Sequence, residues 1–165
     1  MKRLIKILAP AVLCLIVAIP LVAAQGTPIG EVDTAAGESV YSTTCVACHM
    51  QNGAGVPSAF PPLAGHFPDL VAAEGGRDYV INVVLHGLAG PIEVDGTPYN
   101  SVMTPQMLDD QQVADVLNYV SVAWENAGAL PEGFEAFTAD EVTPHRDNGL
   151  TSQQVHELRQ ALALE

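Results

Sequence analysis

The chain has 165 residues, 48% hydrophobic and 15% charged, which suits one small globular domain with additions at its ends. Nineteen acids oppose six bases, for a formal charge of −13; three of the bases, Lys2, Arg3 and Lys6, crowd the N-terminus, so residues 25–165 keep 3 bases against 19 acids, or −16. Such a surface repels nucleic acid and anionic lipid and favours basic partners through long-range, salt-sensitive attraction.

In chain order, "MKRLIK" is a basic start to an uncharged apolar run of 18 residues, Ile7 to Ala24. Val22 and Ala24 fit a small-residue cleavage site. The run is also close to membrane-spanning length. Residues 1–24 therefore read as a signal peptide or an N-terminal membrane anchor. Either one places the rest outside the cytoplasm, in the periplasm or on the outer face of the membrane. Residues 25–34 are a polar linker. Ala35 to His49 can form a helix. Met50 to Pro68 holds four prolines and three glycines and reads as a loop wrapped around something. Gly76 to Gly87 has Val80, Val83 and Val84 at helical spacing, with Gly87 as the stop. A second Gly/Pro-rich loop follows, ending in "YNSVMTPQML". Asp109 to Trp124 is the clearest helix, with Val113, Val116, Leu117, Val120 and Trp124 on one face.

Three segments, "LDDQQV", "FTADEV" and "LTSQQV", share a helix-start layout: a hydrophobe, a capping Asp or Thr, a Gln or Glu at the third helical position, then Val. Short helices are expected from about 138 and 151, with Pro144 limiting the first. Val155, Leu158 and Leu162 make a narrow apolar stripe. Residues 127–165 thus form a helical tail, packed on the domain or awaiting a partner. Strand signals are sparse, so the class is all-α. Long loops and few aromatics leave the middle short of core, unless something other than protein fills it.

"CVACH" (Cys45 to His49) has the C-x-x-C-H spacing of covalent c-type haem attachment. Two thiols three apart reach two vinyl groups on one edge of the macrocycle, and His49 then offers an imidazole to the iron. Rival readings fare worse. Thioredoxin-like chemistry expects a βαβ context, a zinc site wants four ligands, and a disulfide between Cys45 and Cys48 would ignore His49. The iron then needs a sixth ligand or an open site. Met50, His66, His86, Met103, Met107, His145 and His156 are the candidates. Met50 is tethered to the His49 face, and the tail histidines have nothing around them to position a ligand. The methionine loop remains, with a soft thioether that favours reduced iron.

"GESVYSTTCVACH", "NGAGVPSAFPPLAG", "VVLHGLAGPIEVDGTPYNSVMTP" and "LDDQQVADVLNYVSVAW" together resemble a class I cytochrome c over residues 35–126. The resemblance is to the small cytochromes that serve alcohol dehydrogenases, copper nitrite reductases and terminal oxidases. It implies an all-α fold of short helices around one haem. It also implies Met103 as the sixth ligand, here with Thr104 between it and Pro105, and Met107 as a packing residue at the helix start. It further implies that Pro62 of "PPL" accepts from the His49 imidazole. Gly37 and Tyr41 are to cross Tyr119, and Tyr99 and Asn100 are to face the haem edge.

The function expected is electron transfer in an extracytoplasmic respiratory chain, with haem c bound by Cys45, Cys48, His49 and Met103, and without a catalytic constellation. Two alternatives stand beside it. One is a haem enzyme or a gas or peroxide sensor with a labile sixth ligand. The other is the haem c subunit of a larger oxidoreductase. The expected partners are redox proteins with basic docking patches.

Overall fold

The computed structural model describes residues 26–164. The expected export or anchor segment lies outside them, and no helix among the described residues is long and apolar enough to cross a membrane.

The cysteine-bearing helix is built in three pieces. α1 (Ala35–Val40) begins where Asp33 Oδ1 accepts from the Ala35 amide at 3.0 Å. One turn of π-helix, Tyr41–Cys45, separates it from α2 (Val46–His49). A π turn takes more residues than an α turn, so α2 is rotated in phase relative to α1. α1 crosses α5 (Asp110–Val122) at Gly37, where a Cβ would overlap the Asp115 carbonyl. Without that side chain the backbones approach closely. Tyr41 is fully buried beside the crossing and donates to the Met50 carbonyl at 2.7 Å. Its ring centre lies 5.5 Å from that of Tyr119 and 5.0 Å from that of Trp124. Each such aromatic pair is worth ~0.5–1.5 kcal/mol beyond its buried area.

Helix α5 has the capping box expected of "LDDQQV". Asp109 accepts from the Gln112 amide at 2.8 Å, and Gln112 accepts from the Asp109 amide at 3.0 Å. Val113, Val116, Leu117 and Val120 are buried on its inner face. The helix stops at Val122, short of the expected Trp124. Trp124 and Glu125 adopt φ of 52° and 72°, and this left-handed step throws the indole onto Gly53, where its N–H donates to the Gln51 carbonyl at 3.1 Å. Asn126, also buried, secures the step. It accepts from the Gly65 amide at 2.8 Å and donates to the Val120 carbonyl at 2.8 Å.

α3 (Phe67–Ala72) has no counterpart among the expected elements, and its first two residues close the loop expected to run to Pro68. α4 (Gly76–His86) ends at Gly87 as its pattern requires. Strands are few among the described residues, as expected. β1 (Ile92–Val94) and β2 (Thr97–Tyr99) form an antiparallel hairpin turned by Asp95 and Gly96, with φ of 50° and 72°. Two positive φ values in succession mark the tight turn whose twist suits a two-residue hairpin.

The tail folds back onto the domain. α6 (Ala139–Arg146) is capped by Thr138 and packs on α4 and α5; α7 (Ser152–Ala161) carries the Thr151–Gln154 capping box and packs on α4. Pro144 lies inside α6 and does not limit it. The carbonyl that loses its helical donor is that of Asp140, an exposed residue, which water can serve. Asn118, 4% exposed, holds the tail with a two-way amide pair. Its Nδ2 donates to the Phe137 carbonyl at 3.0 Å and its Oδ1 accepts from the Phe137 amide at 2.8 Å. Arg77 adds a forked bond to Glu141, 2.8 Å on each side, and stacks over Phe137 at 4.0 Å. The linker is involved too. Ala136 N–H donates to the Thr27 carbonyl at 2.9 Å and Ile29 N–H to the Phe134 carbonyl at 3.3 Å, so linker and tail pair.

Candidate haem site

Between α2, α3, α4, α5 and the two long loops lies an apolar cavity of about 210 Å³. Cys45, Cys48 and His49 line it from α2 and the turn before it. Met103 lines it from the second loop, and Val80, Val84, Leu117 and Val120 line it from α4 and α5. All four sequence-selected residues therefore meet at one cavity.

The two thiols are not joined to each other. Burial, with Cys48 beside it, raises the Cys45 pKa to about 11, so this thiol stays protonated at neutral pH. His49 is fixed through one ring nitrogen. Its Nδ1 lies 3.0 Å from the carbonyl of Pro61, which leaves Nε2 for the cavity. The acceptor is thus Pro61 and not the expected Pro62. The cause is the tight turn before it, where Val56 pairs with Phe60 and the loop then folds over Gly55. A Cβ on Gly55 would overlap the Phe60 carbonyl. Burial lowers the His49 pKa against the opposing pull of the Pro61 bond, so the imidazole is neutral and free to donate its lone pair.

Met103 is held by its backbone. Its N–H donates to the Leu88 carbonyl and its carbonyl accepts from the Leu88 amide, both at 2.9 Å. Three residues on, Gln106 N–H donates to the Val84 carbonyl at 2.9 Å. The loop around Thr104 is thereby clamped at both ends to the C-terminus of α4. Gly87, at φ 74°, makes the clamp possible, because a Cβ there would overlap the Met103 carbonyl. Met107 does not pack as expected. It is 98% exposed, since the chain straightens through Gln106 before the α5 cap and carries the side chain outward.

Of the other candidate ligands, Met50 has its carbonyl engaged by Tyr41, and His86 Nε2 lies 2.8 Å from the His145 carbonyl. His145 Nδ1 lies 3.1 Å from Asn82, and His156 Nε2 lies 2.6 Å from the Pro91 carbonyl. None of these four lines the cavity; His66 does. Tyr99 lines it as well, from the end of β2, whereas Asn100 is exposed and does not.

The walls suit a flat apolar macrocycle: two free thiols, a neutral imidazole with one nitrogen unengaged, a thioether and a largely aliphatic lining. Sequence reasoning missed the one arginine on the wall, besides the apolar residues that α3 supplies. Arg159 of α7 is 8% exposed and reaches the cavity from the tail. Its signal was present, since Val155, Arg159 and Leu162 fall at i, i+4 and i+7 and are all buried, whereas Leu158 is only partly so.

The sequence model of the family described as Cytochrome c matches residues 34–124. The chain is 49% identical over 129 residues to cytochrome c-552 of Thermus thermophilus, covering 78% of this chain and 97% of that one. It is 32% identical over 123 residues to the cytochrome c subunit of a quinone alcohol dehydrogenase from Gluconacetobacter polyoxogenes, covering 73% of this chain and 24% of that subunit. Over 97 residues it is 38% identical to the gluconate 2-dehydrogenase cytochrome c subunit of Pantoea cypripedii, covering 57% and 21%. With its free thiols, neutral imidazole and clamped thioether around one apolar cavity, the chain belongs to the cytochrome c family, as an electron-transfer protein carrying covalently attached haem c.

Proposed function

We propose that this chain is an extracytoplasmic single-electron carrier whose Cys45 and Cys48 bind the haem as thioethers and whose His49 and Met103 hold its iron. The observation that carries the reading is the convergence of these four side chains on one apolar cavity. The haem, when bound, supplies an iron that gains or loses one electron.

The protein's part is to keep the surroundings fixed in both states. Pro61 fixes the His49 ring through Nδ1, and Leu88 fixes the Met103 backbone on both sides. Ligands so held move little when charge changes, which suits a carrier more than a site that must open for peroxide or gas. A thioether ligand also favours the reduced iron and raises the potential. The apolar lining excludes water.

In this reading residues 1–24 are the export signal or membrane anchor and 25–34 the linker. Residues 35–126 are the haem domain and 127–165 its folded-back tail. Outside the cytoplasm, the chain exchanges electrons with respiratory redox proteins. The −16 charge of residues 25–165 supports basic docking faces on those partners.

The experiment is mass spectrometry with visible spectra of the oxidised protein. One covalent haem is expected, with the weak long-wavelength band of methionine bound to ferric iron. Met103→Ala abolishes that band and Met107→Ala keeps it. A high-spin spectrum in the wild type, or a band that survives Met103→Ala, sinks the ligand assignment.

A further inference from the structure

The residue after His49 sits in a backbone conformation that glycine alone adopts with ease. Met50 has φ 63° and ψ 161°. A side chain there crowds its own backbone, so the conformation persists only where the surroundings hold it. Met50 is one of five non-glycine residues at positive φ among the described residues, and it is the one that borders a proposed iron ligand.

Two ring donors hold the peptide in place. The Met50 carbonyl accepts from the Gly53 amide at 3.1 Å and from the Tyr41 hydroxyl at 2.7 Å. The next carbonyl, that of Gln51, accepts from the Trp124 indole N–H at 3.1 Å. The Gly53 bond lies within the turn and would travel with it. The other two tie the turn to distant parts of the chain, at the crossing of α1 with α5 and at the left-handed step after α5. The rings brace each other, with centres 5.0 Å apart and planes at 60°. Tyr41 is fully buried, so a hydroxyl turned away from Met50 would lose its partner without reaching water. The indole reaches Gln51 only because Trp124 and Glu125 themselves take positive φ and Gly53 carries no side chain. Unfavourable backbone is thus accepted on both sides of one contact. Neither Tyr41 nor Trp124 lines the cavity, so any effect on the site passes through the backbone of Met50 and His49.

We propose that Tyr41 and Trp124 are positioning residues for the imidazole ligand: their bonds hold the strained Met50–Gln51 peptide and thereby set the orientation of the His49 ring. The proposal rests on the haem reading above. Pro61 holds the ring at Nδ1. The aromatic pair holds the backbone next to the Cα from which that ring projects. A ring held at both ends keeps one orientation whichever charge the iron carries.

The test reads the His49 ring through the paramagnetically shifted NMR signals of ferric holoprotein labelled with ¹⁵N-histidine. Tyr41→Phe removes the hydroxyl and keeps the ring, and it is expected to shift the His49 signals. Met50→Gly removes the strain, because glycine is at ease in this conformation. In the Met50→Gly background, Tyr41→Phe is therefore expected to leave the signals where they are. Unshifted signals in Tyr41→Phe alone overturn the proposal. A shift of equal size in both backgrounds also overturns it, since a bond that merely packs Tyr41 acts the same with or without the strain. Trp124 is the chain's single tryptophan, so replacing tryptophan throughout with its benzothiophene analogue deletes the indole N–H at this position alone. That form is expected to shift the same signals, and unshifted signals overturn the proposal; this arm decides should Tyr41→Phe fail to accumulate. The haem mass and the methionine–iron band, read on the wild-type samples, report separately whether the haem reading itself holds.

Discussion

Gly87→Ala tests how the methionine loop is positioned, because the change lies outside the cavity and alters no proposed ligand's side chain. Gly87 has φ 74° and ψ −174°, a region almost confined to glycine, and an alanine held there costs ~1–3 kcal/mol. The new methyl would also overlap the Met103 carbonyl and come within 3.0 Å of Pro105 N. The backbone strain stays in either case, and the overlap is relieved only if the loop retreats. Retreat breaks the two Leu88–Met103 hydrogen bonds, worth about 1 kcal/mol each. The expected loss is therefore about 3–5 kcal/mol, a large part of the stability of a domain this size. Denaturant unfolding of the holoprotein measures it, and the oxidised spectrum shows whether the methionine–iron band has weakened. Gly96→Ala is the control, since φ is 72° there but a Cβ would meet open space. It should cost strain alone and leave the band intact. If Gly87→Ala matches Gly96→Ala in both readouts, the clamp on Met103 does not position the ligand.

Asn118→Ala strands the buried Phe137 amide and carbonyl, at a cost of about 2–4 kcal/mol. Limited proteolysis should then cut first within the tail, and a cut pattern like the wild type's would refute the anchoring role. His66 gives a pH dependence. Its folded pKa, about 4, lies below the ordinary 6.5, so the unfolded chain binds the extra proton between those values. Stability is then flat above about pH 6.5 and falls as pH drops toward 4, and His66→Gln should flatten that slope in denaturation midpoints. Electron exchange with a basic redox partner should slow as salt rises, because the Debye length shrinks to about 8 Å at physiological ionic strength. A stopped-flow rate indifferent to salt would remove the acidic surface from docking.

What could be read from the sequence divides along a physical line. Covalent and helical periodicities are local, and they showed plainly. "CVACH", the stripe of α5, the stop at Gly87 and the capping Thr138 and Thr151 each depend on residues within two turns. Features set by long-range approach did not show. Trp124 has helical spacing with Val120, but the indole leaves the helix because Gly53, far back in the chain, offers a surface and Gln51 an acceptor. Pro61 in place of Pro62 is a shift of one residue decided by the turn at Val56–Phe60, which no periodicity encodes. The hairpin is a different kind of miss. "IEVDGTPY" carries an Asp-Gly turn signal of the strongest short-range kind, and the surrounding prolines and glycines masked it.

The tail shows why Arg159 escaped notice. On α7 the buried face runs through Val155, Arg159 and Leu162, so the middle of an apolar stripe is a cation. Periodicity scored on hydrophobicity alone turns aside there, to Leu158, and the helix reads as a narrow apolar stripe. Energetics favours the other face only if an anion compensates the charge, and among the described residues no acid does so. The chain has 19 acids available, and its other two described arginines have each found one, so the lack of a carboxylate at Arg159 does not reflect scarcity. A buried guanidinium kept apart from that acidic surface, on the wall of the cavity, puts the tail in direct contact with the site. Holoprotein should therefore protect the α7 amides from hydrogen exchange more strongly than Arg159→Gln holoprotein does. Equal protection in the two would mean that α7 is held by Val155 and Leu162 alone.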